Sequence, residues 1–151
     1  MNIEKFMKKN VISIPITTTI GEAAAVFIKN RVSLLPVVDA QGKPVGVVRL
    51  SYLVSLEMPD FLKLMEDFDF VHDFGAIETM QPDSELLSRS VTTIMHPVAT
   101  IDKDCGLMRV YAIMLKDEIF DLPVTNENGE LVGIVSRVDI GTGILTTWST
   151  E

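Results

Sequence analysis

The stretch Leu122-Pro-Val-Thr-Asn-Glu-Asn-Gly-Glu-Leu-Val-Gly-Ile-Val-Ser-Arg-Val-Asp139 spells strand, turn, strand and the opening of a helix. Leu122 to Val124 is short and apolar. Asn126, Asn128 and Gly129 supply the turn, because Asn and Gly tolerate positive φ. Leu131 to Val135 is apolar and rich in β-branched residues, as a strand requires. Ser136 stands where that strand hands over to a helix, and Asp139 follows three residues later.

The same text occurs 87 residues earlier, as Leu35-Pro-Val-Val-Asp-Ala-Gln-Gly-Lys-Pro-Val-Gly-Val-Val-Arg-Leu-Ser-Tyr52. Gly42 matches Gly129, and Gly46 matches Gly133. Met7 matches Met95 at a spacing of 88, so the repeats differ by one residue near their first strand. A duplicated unit of this length is a structural module. Each copy is roughly 55 residues, a size that buries its apolar surface poorly alone, so the copies are expected to share a core. The Leu-Pro-Val segments, the matched turn glycines and the apolar-Val-Gly-apolar-Val strands resemble a tandem pair of CBS domains, the family named after cystathionine β-synthase. The resemblance runs from about Ile3 to Leu56 and from about Ser90 to Thr147. It implies an α+β fold in which two β-α-β-β-α repeats pack about a pseudo-two-fold axis and leave two clefts between them. The repeats are placed at 1–57 and 90–151, with a helical linker inserted at 58–89.

In the first repeat, Val11 to Ile14 is expected to be a strand and Thr19 to cap a helix, with Glu22 at capping-box spacing. The run Ala23-Ala-Ala25 suits either a close helix–helix contact or simple helix propensity. Leu50 to Leu56 is a second helix, broken by Met58-Pro59. In the linker, Phe61, Leu64, Met65, Phe68 and Val71 recur at helical spacing, which predicts an amphipathic helix over 60–73. Ser84 to Ser88 is a further short helix. The linker either caps the core or offers Phe68, Phe70 and Phe74 to a partner. In the second repeat a strand is expected over Val98 to Ile101, a helix from Asp102–Asp104 to about Asp117, and a last helix over 138–148.

The formal charge of −8 opposes non-specific binding to nucleic acid or to an anionic membrane. No apolar run approaches a membrane span, and the residues from Met1 to Phe6 lack a signal-peptide core. A single cysteine, Cys105, rules out an internal disulfide framework and fits a reducing cytosol. The expected location is cytoplasmic.

The chemistry concentrates at Gly133-Ile-Val-Ser136-Arg-Val-Asp139. From the residues alone, Ser136 and Asp139 form an N-cap with an acid three positions on, a purely structural motif. The resemblance adds a second reading. In CBS pairs that bind adenine nucleotides, the acid of this pattern bonds the ribose, while the hydroxyl residue and the helix N-terminus face the phosphate. A carboxylate suits two vicinal hydroxyl donors, and a helix N-terminus favours an anion. The implied nucleotide site comprises Ser136, Arg137 and Asp139, with Met95, Pro97, Val98 and Thr100 of the opening strand around the base. Arg137 is assigned to the phosphate. The first repeat departs from the pattern, placing Arg49 at the hydroxyl position and Tyr52 at the acid position. Its cleft is expected to be empty or differently used, with Arg49 near a phosphate of the other site.

No catalytic or metal site is expected. His72 and His96 are the only histidines, and His72, Asp69 and Asp73 have no standard metal spacing. Cys105 has no partner histidine in view. The resulting expectation is a stand-alone regulatory protein without a cofactor of its own. It senses an adenine nucleotide or S-adenosylmethionine, dimerises through its helices and acts on an unknown effector protein. The competing reading is a ligand-free interaction module.

Overall fold

A computed structural model describes residues 1–149 of the chain. Two three-stranded sheets carry the repeats. In the first, β1 (Ile14–Pro15) lies parallel to β2 (Leu34–Val38), which pairs antiparallel with β3 (Pro44–Arg49). In the second, β4 (Ile101–Asp102), β5 (Asp121–Thr125) and β6 (Leu131–Ser136) repeat that order. Both hairpins turn on a glycine at positive φ, Gly42 at 78° and Gly129 at 77°. Each turn is held by an acceptor at its start. Asp39 Oδ1 accepts from the Gln41 and Lys43 amides, and Asn126 Oδ1 from those of Asn128 and Glu130.

The long helices match in their buried positions. Helix α1 (Ile20–Asn30) buries Ile20, Ala23 and Phe27, and α5 (Leu107–Lys116) buries Leu107, Val110 and Met114 at the same spacing. The capping box at α1 is present: Thr19 Oγ1 accepts from the Glu22 amide at 3.1 Å, and Glu22 accepts from the Thr19 amide at 3.3 Å. Both helices are followed by a left-handed residue, Arg31 at φ 50° and Glu118 at φ 54°. Helix α2 (Leu50–Glu57) closes the first repeat, and α6 (Arg137–Leu145) follows β6 in the second. Ala23 is buried in the first core, while Ala24 borders a groove beside Leu86 and Leu87.

The two cores are completed by exchange. Ile3 is fully buried in the second core, among Val110, Met114, Leu122 and Val135. Val91 is fully buried in the first, among Phe27, Leu35, Val37 and Val48. Lys8 bridges antiparallel to Ile134, with hydrogen bonds of 2.8 and 2.9 Å, and His96 bridges to Val47 with two of 3.0 Å. Each repeat thus lends its opening segment to the other. The reciprocity of these contacts is the pseudo-two-fold relation, and it is why neither half buries its apolar surface without its mate.

This exchange corrects the expected first strands. Val11 to Ile14 and Val98 to Ile101 shrink to two-residue strands at Ile14–Pro15 and Ile101–Asp102, because the residues before them run across to the other sheet. Helix α5 begins later than Asp102–Asp104, since Asp102 Oδ1 accepts the Asp104 amide at 2.9 Å and holds a turn there. The last helix ends at Leu145 and continues only as a tight turn over Thr146–Trp148.

The linker helix over 60–73 is also corrected. It stops after α3 (Asp60–Leu64). Beyond it Glu66, Asp67, Asp69 and Asp73 crowd like charges, and two of them prefer turns. Asp67 accepts the Asp69 amide and Asp73 accepts the Gly75 amide, each at 2.9 Å. Phe74 packs edge-on against Phe61 and Phe68, at ring separations of 6.3 and 6.5 Å, and Phe70 stays exposed. Helix α4 (Ser84–Ser88) forms as expected and lays Leu87 against Gly21.

Gly46 and Gly133 are set by the crossing segments. A Cβ on Gly133 would meet Met7 Sδ at 2.5 Å and the Lys8 carbonyl at 3.1 Å; one on Gly46 would meet Met95 Sδ at 2.6 Å and the His96 carbonyl at 3.1 Å. A thioether can swing away, but a paired backbone carbonyl cannot. Gly133→Ala is therefore expected to cost about 1–3 kcal/mol in urea unfolding, with an unchanged midpoint contradicting this packing.

Candidate functional site

Ser136 ends β6 and caps α6. Its Oγ accepts the Asp139 amide at 3.1 Å, and Asp139 Oδ2 accepts the Ser136 amide at 2.9 Å. The Asp139 side chain is 15% exposed, and its Oδ2 lies 3.6 Å from Lys8 Nζ. Among the described residues Oδ1 has no hydrogen-bond partner. The capping box therefore uses one carboxylate oxygen and leaves the other for a donor from outside.

Ser136 lines a cleft of about 250 Å³ between the repeats. One wall is the opening segment of the first repeat, with Lys8, Asn10 and Ile12. The entry to β2 supplies a second wall through Arg31, Val32 and Ser33, and the floor is Ile134 with Asp121, the cross-strand neighbour of Ser136. Arg31 is exposed and makes no ion pair among the described residues.

Met95, Pro97, Val98 and Thr100, expected around this site, do not line it. Because the opening segments are exchanged, Met95 and His96 lie over Gly46 and Val47 and line the first-repeat cleft. Arg137, expected to face a phosphate, points elsewhere. Its Nε donates to the Ile119 carbonyl and its Nη2 to the Met114 carbonyl, both at 2.8 Å, while its guanidinium stacks 4.1 Å from the Phe120 ring. It ties α6 to the end of α5, and neither it nor Asp139 is part of the cleft wall.

Arg49, expected near a phosphate, is matched to Asp121 across the repeat boundary. Its Nη1 donates to Asp121 Oδ1, and its Nη2 lies 3.4 Å from the Asp121 carbonyl. Ser33 Oγ donates to the other carboxylate oxygen. The pair is largely buried, with side-chain exposures of 23% and 9%. Burial of either charge alone is costly, so each needs the other. In the first-repeat cleft the Tyr52 ring packs on His96 at a centroid distance of 3.9 Å, where the second repeat has Asp139 beside Lys8. The two clefts are thus chemically different, one walled by an aromatic pair and the other by the charged Lys8, Arg31 and Asp121.

Elsewhere, Cys105 is buried and takes a hydrogen bond from Arg109 Nη1 at 2.8 Å. Among the described residues no three His, Cys, Asp or Glu side chains converge as a metal site, and no helix is long and apolar enough to cross a membrane.

Comparison with known proteins agrees with this architecture. The curated relatives include the chloroplastic CBS domain-containing protein CBSX1 of Arabidopsis thaliana, 29% identical over 129 residues, covering 82% of this chain and 55% of the relative. The chain thus spans about half the length of that relative. Solved structures of the same fold include CBSX2 of Arabidopsis thaliana in complex with AMP, with a TM-score of 0.73 at 22% identity and 98% of both chains covered. They also include the CBS domain pair of MJ0100 in complex with 5-methylthioadenosine and S-adenosyl-L-methionine, with a TM-score of 0.69 at 22% identity, covering 97% of this chain and 98% of that one. The CBS domain model matches twice, at residues 3–58 and 89–144, and the chain therefore belongs to the CBS domain family as a tandem pair.

Proposed function

We propose that this CBS pair is a cytosolic regulatory protein that binds an adenosine-containing ligand in the Ser136 cleft and passes the signal to a partner protein. The observation that carries the reading is a Ser136-lined cleft built from both repeats, with Asp139, one carboxylate oxygen unbonded, held in the Ser136 capping box and beside the wall residue Lys8. Asp139 Oδ1 accepts from a ribose hydroxyl. Ser136 and the N-terminus of α6 face the 5′ substituent, where the helix dipole favours negative charge. The apolar wall of Ile12, Val32 and Ile134 takes the base. The AMP and S-adenosyl-L-methionine complexes of its structural neighbours support this ligand class.

A ligand held between two repeats favours one angle between them, and a partner that distinguishes those angles reads the occupancy. The protein acts as a homodimer through its helices. Ile28 of α1, Val54 of α2, Met108 of α5, and Val138 and Leu145 of α6 are all exposed. These exposed apolar side chains on the four helices support that association. The exposed Phe70 beside the Phe61, Phe68 and Phe74 cluster favours a second reading, in which the linker itself is the interaction surface and no ligand is needed.

Thermal unfolding with millimolar adenosine ligands separates the two. A ligand at about 100 times its dissociation constant adds ~2.7 kcal/mol, a shift of several degrees at roughly 2–4 °C per kcal/mol. Asp139→Ala, which also loses the bond from the Ser136 amide worth about 1 kcal/mol, is expected to melt lower and to show no ligand-induced shift. A full shift in Asp139→Ala, or none in the parent protein, contradicts the site. Val138→Glu is expected to turn the dimer into monomer in sedimentation velocity, and a persistent dimer would move the interface elsewhere.

A further inference from the structure

The charges around the Ser136 cleft bear on which adenosine ligand it takes. Resting on the reading just given, we infer that Asp121 and Arg31 restrict the cleft to an adenosine whose 5′ arm carries a single anionic group, and exclude di- and triphosphates. The 5′ arm lies beside Ser136, and the residue directly across the strand pair from Ser136 is Asp121. A carboxylate therefore stands at the end where added phosphates would go. Arg49, which does not line the cleft, offsets its charge and is thereby unavailable to a ligand. At the other side Lys8 is engaged by Asp139. Arg31 is the one cation of the wall with no ion-pair partner among the described residues.

The walls and their immediate partners thus leave one positive charge uncompensated, together with the partial charge of about half a unit at the α6 N-terminus. One phosphate is matched by that field, and the S-adenosylmethionine arm, whose single carboxylate is offset by its own sulfonium and ammonium, brings no further negative charge to it. The further charges of a triphosphate meet Asp121 with no cation to neutralise them, and charge desolvated without a partner is strongly disfavoured. Neither residue belongs to the Ser136–Asp139 motif. Arg31 acts from the left-handed turn after α1, and Asp121 from the start of β5.

Isothermal titration of the full chain with adenosine, AMP, S-adenosylmethionine, ADP and ATP at about 0.15 M salt tests this. The tighter of AMP and S-adenosylmethionine is expected to bind about tenfold or more better than ATP, because charges a few ångströms apart in a partly dry site interact strongly. Asp121→Asn, isosteric and still able to accept from Ser33, is expected to narrow that gap by about threefold or more as Arg49 is released. Arg31→Asn, at an exposed site whose left-handed backbone Asn tolerates, is expected to weaken AMP binding by about threefold while leaving adenosine unchanged. ATP binding as tightly as AMP and S-adenosylmethionine, or Arg31→Asn weakening adenosine and AMP alike, overturns the inference and leaves the site standing. Binding of none of the five overturns the site and the inference together.

Discussion

Everything in this molecule depends on the exchange of the two opening segments. Met7 and Lys8 lie over Gly133 and Ile134, and Met95 and His96 over Gly46 and Val47. The exchange inserts Ile3 into one core and Val91 into the other, both without exposed surface. It also builds the cleft, because the wall facing Ser136 arrives from the far end of the chain. A repeat of this size has too little interior to stand alone. Lending a strand and an apolar anchor to its twin gives each half a full core and couples their positions.

The duplication was legible because its signals are local. Turn glycines and apolar strands recur at a spacing of 87 and reappear at matched places in the structure, down to the left-handed residues Arg31 and Glu118. The exchange was not legible, because strand partnership across some 88 residues leaves no local pattern. The matched pair Met7 and Met95 carried the correspondence, yet nothing in their neighbourhoods says that each packs on the opposite glycine. For that reason the wall expected from Met95, Pro97, Val98 and Thr100 is supplied instead by Lys8, Asn10 and Ile12. The linker failed differently. Its apolar residues do have helical spacing, but the carboxylates among them compete for backbone amides and bend the chain.

Arg49 and Asp121 show how a departure from pattern can be read. Arg49 stands where the second repeat has Ser136, and Asp121 interrupts the apolar run from Ile119 to Val124. Each looks anomalous within its own repeat. Together they form one buried, opposite pair spanning both, which rationalises the two oddities with a single contact. Their union also ends the symmetry of the clefts. Arg49 is drawn to the middle, Tyr52 closes on His96, and the ion-lined cleft remains on one side only.

The fold is duplicated but its two clefts are not alike, and under the proposed function this asymmetry leaves one ligand site per chain. Calorimetric stoichiometry at saturating AMP or S-adenosylmethionine measures it directly. One ligand per chain, lost on removal of the Asp139 carboxylate, is the result this account predicts. Two ligands per chain, or one that survives the loss of Asp139 and disappears when Tyr52 is replaced, would contradict it.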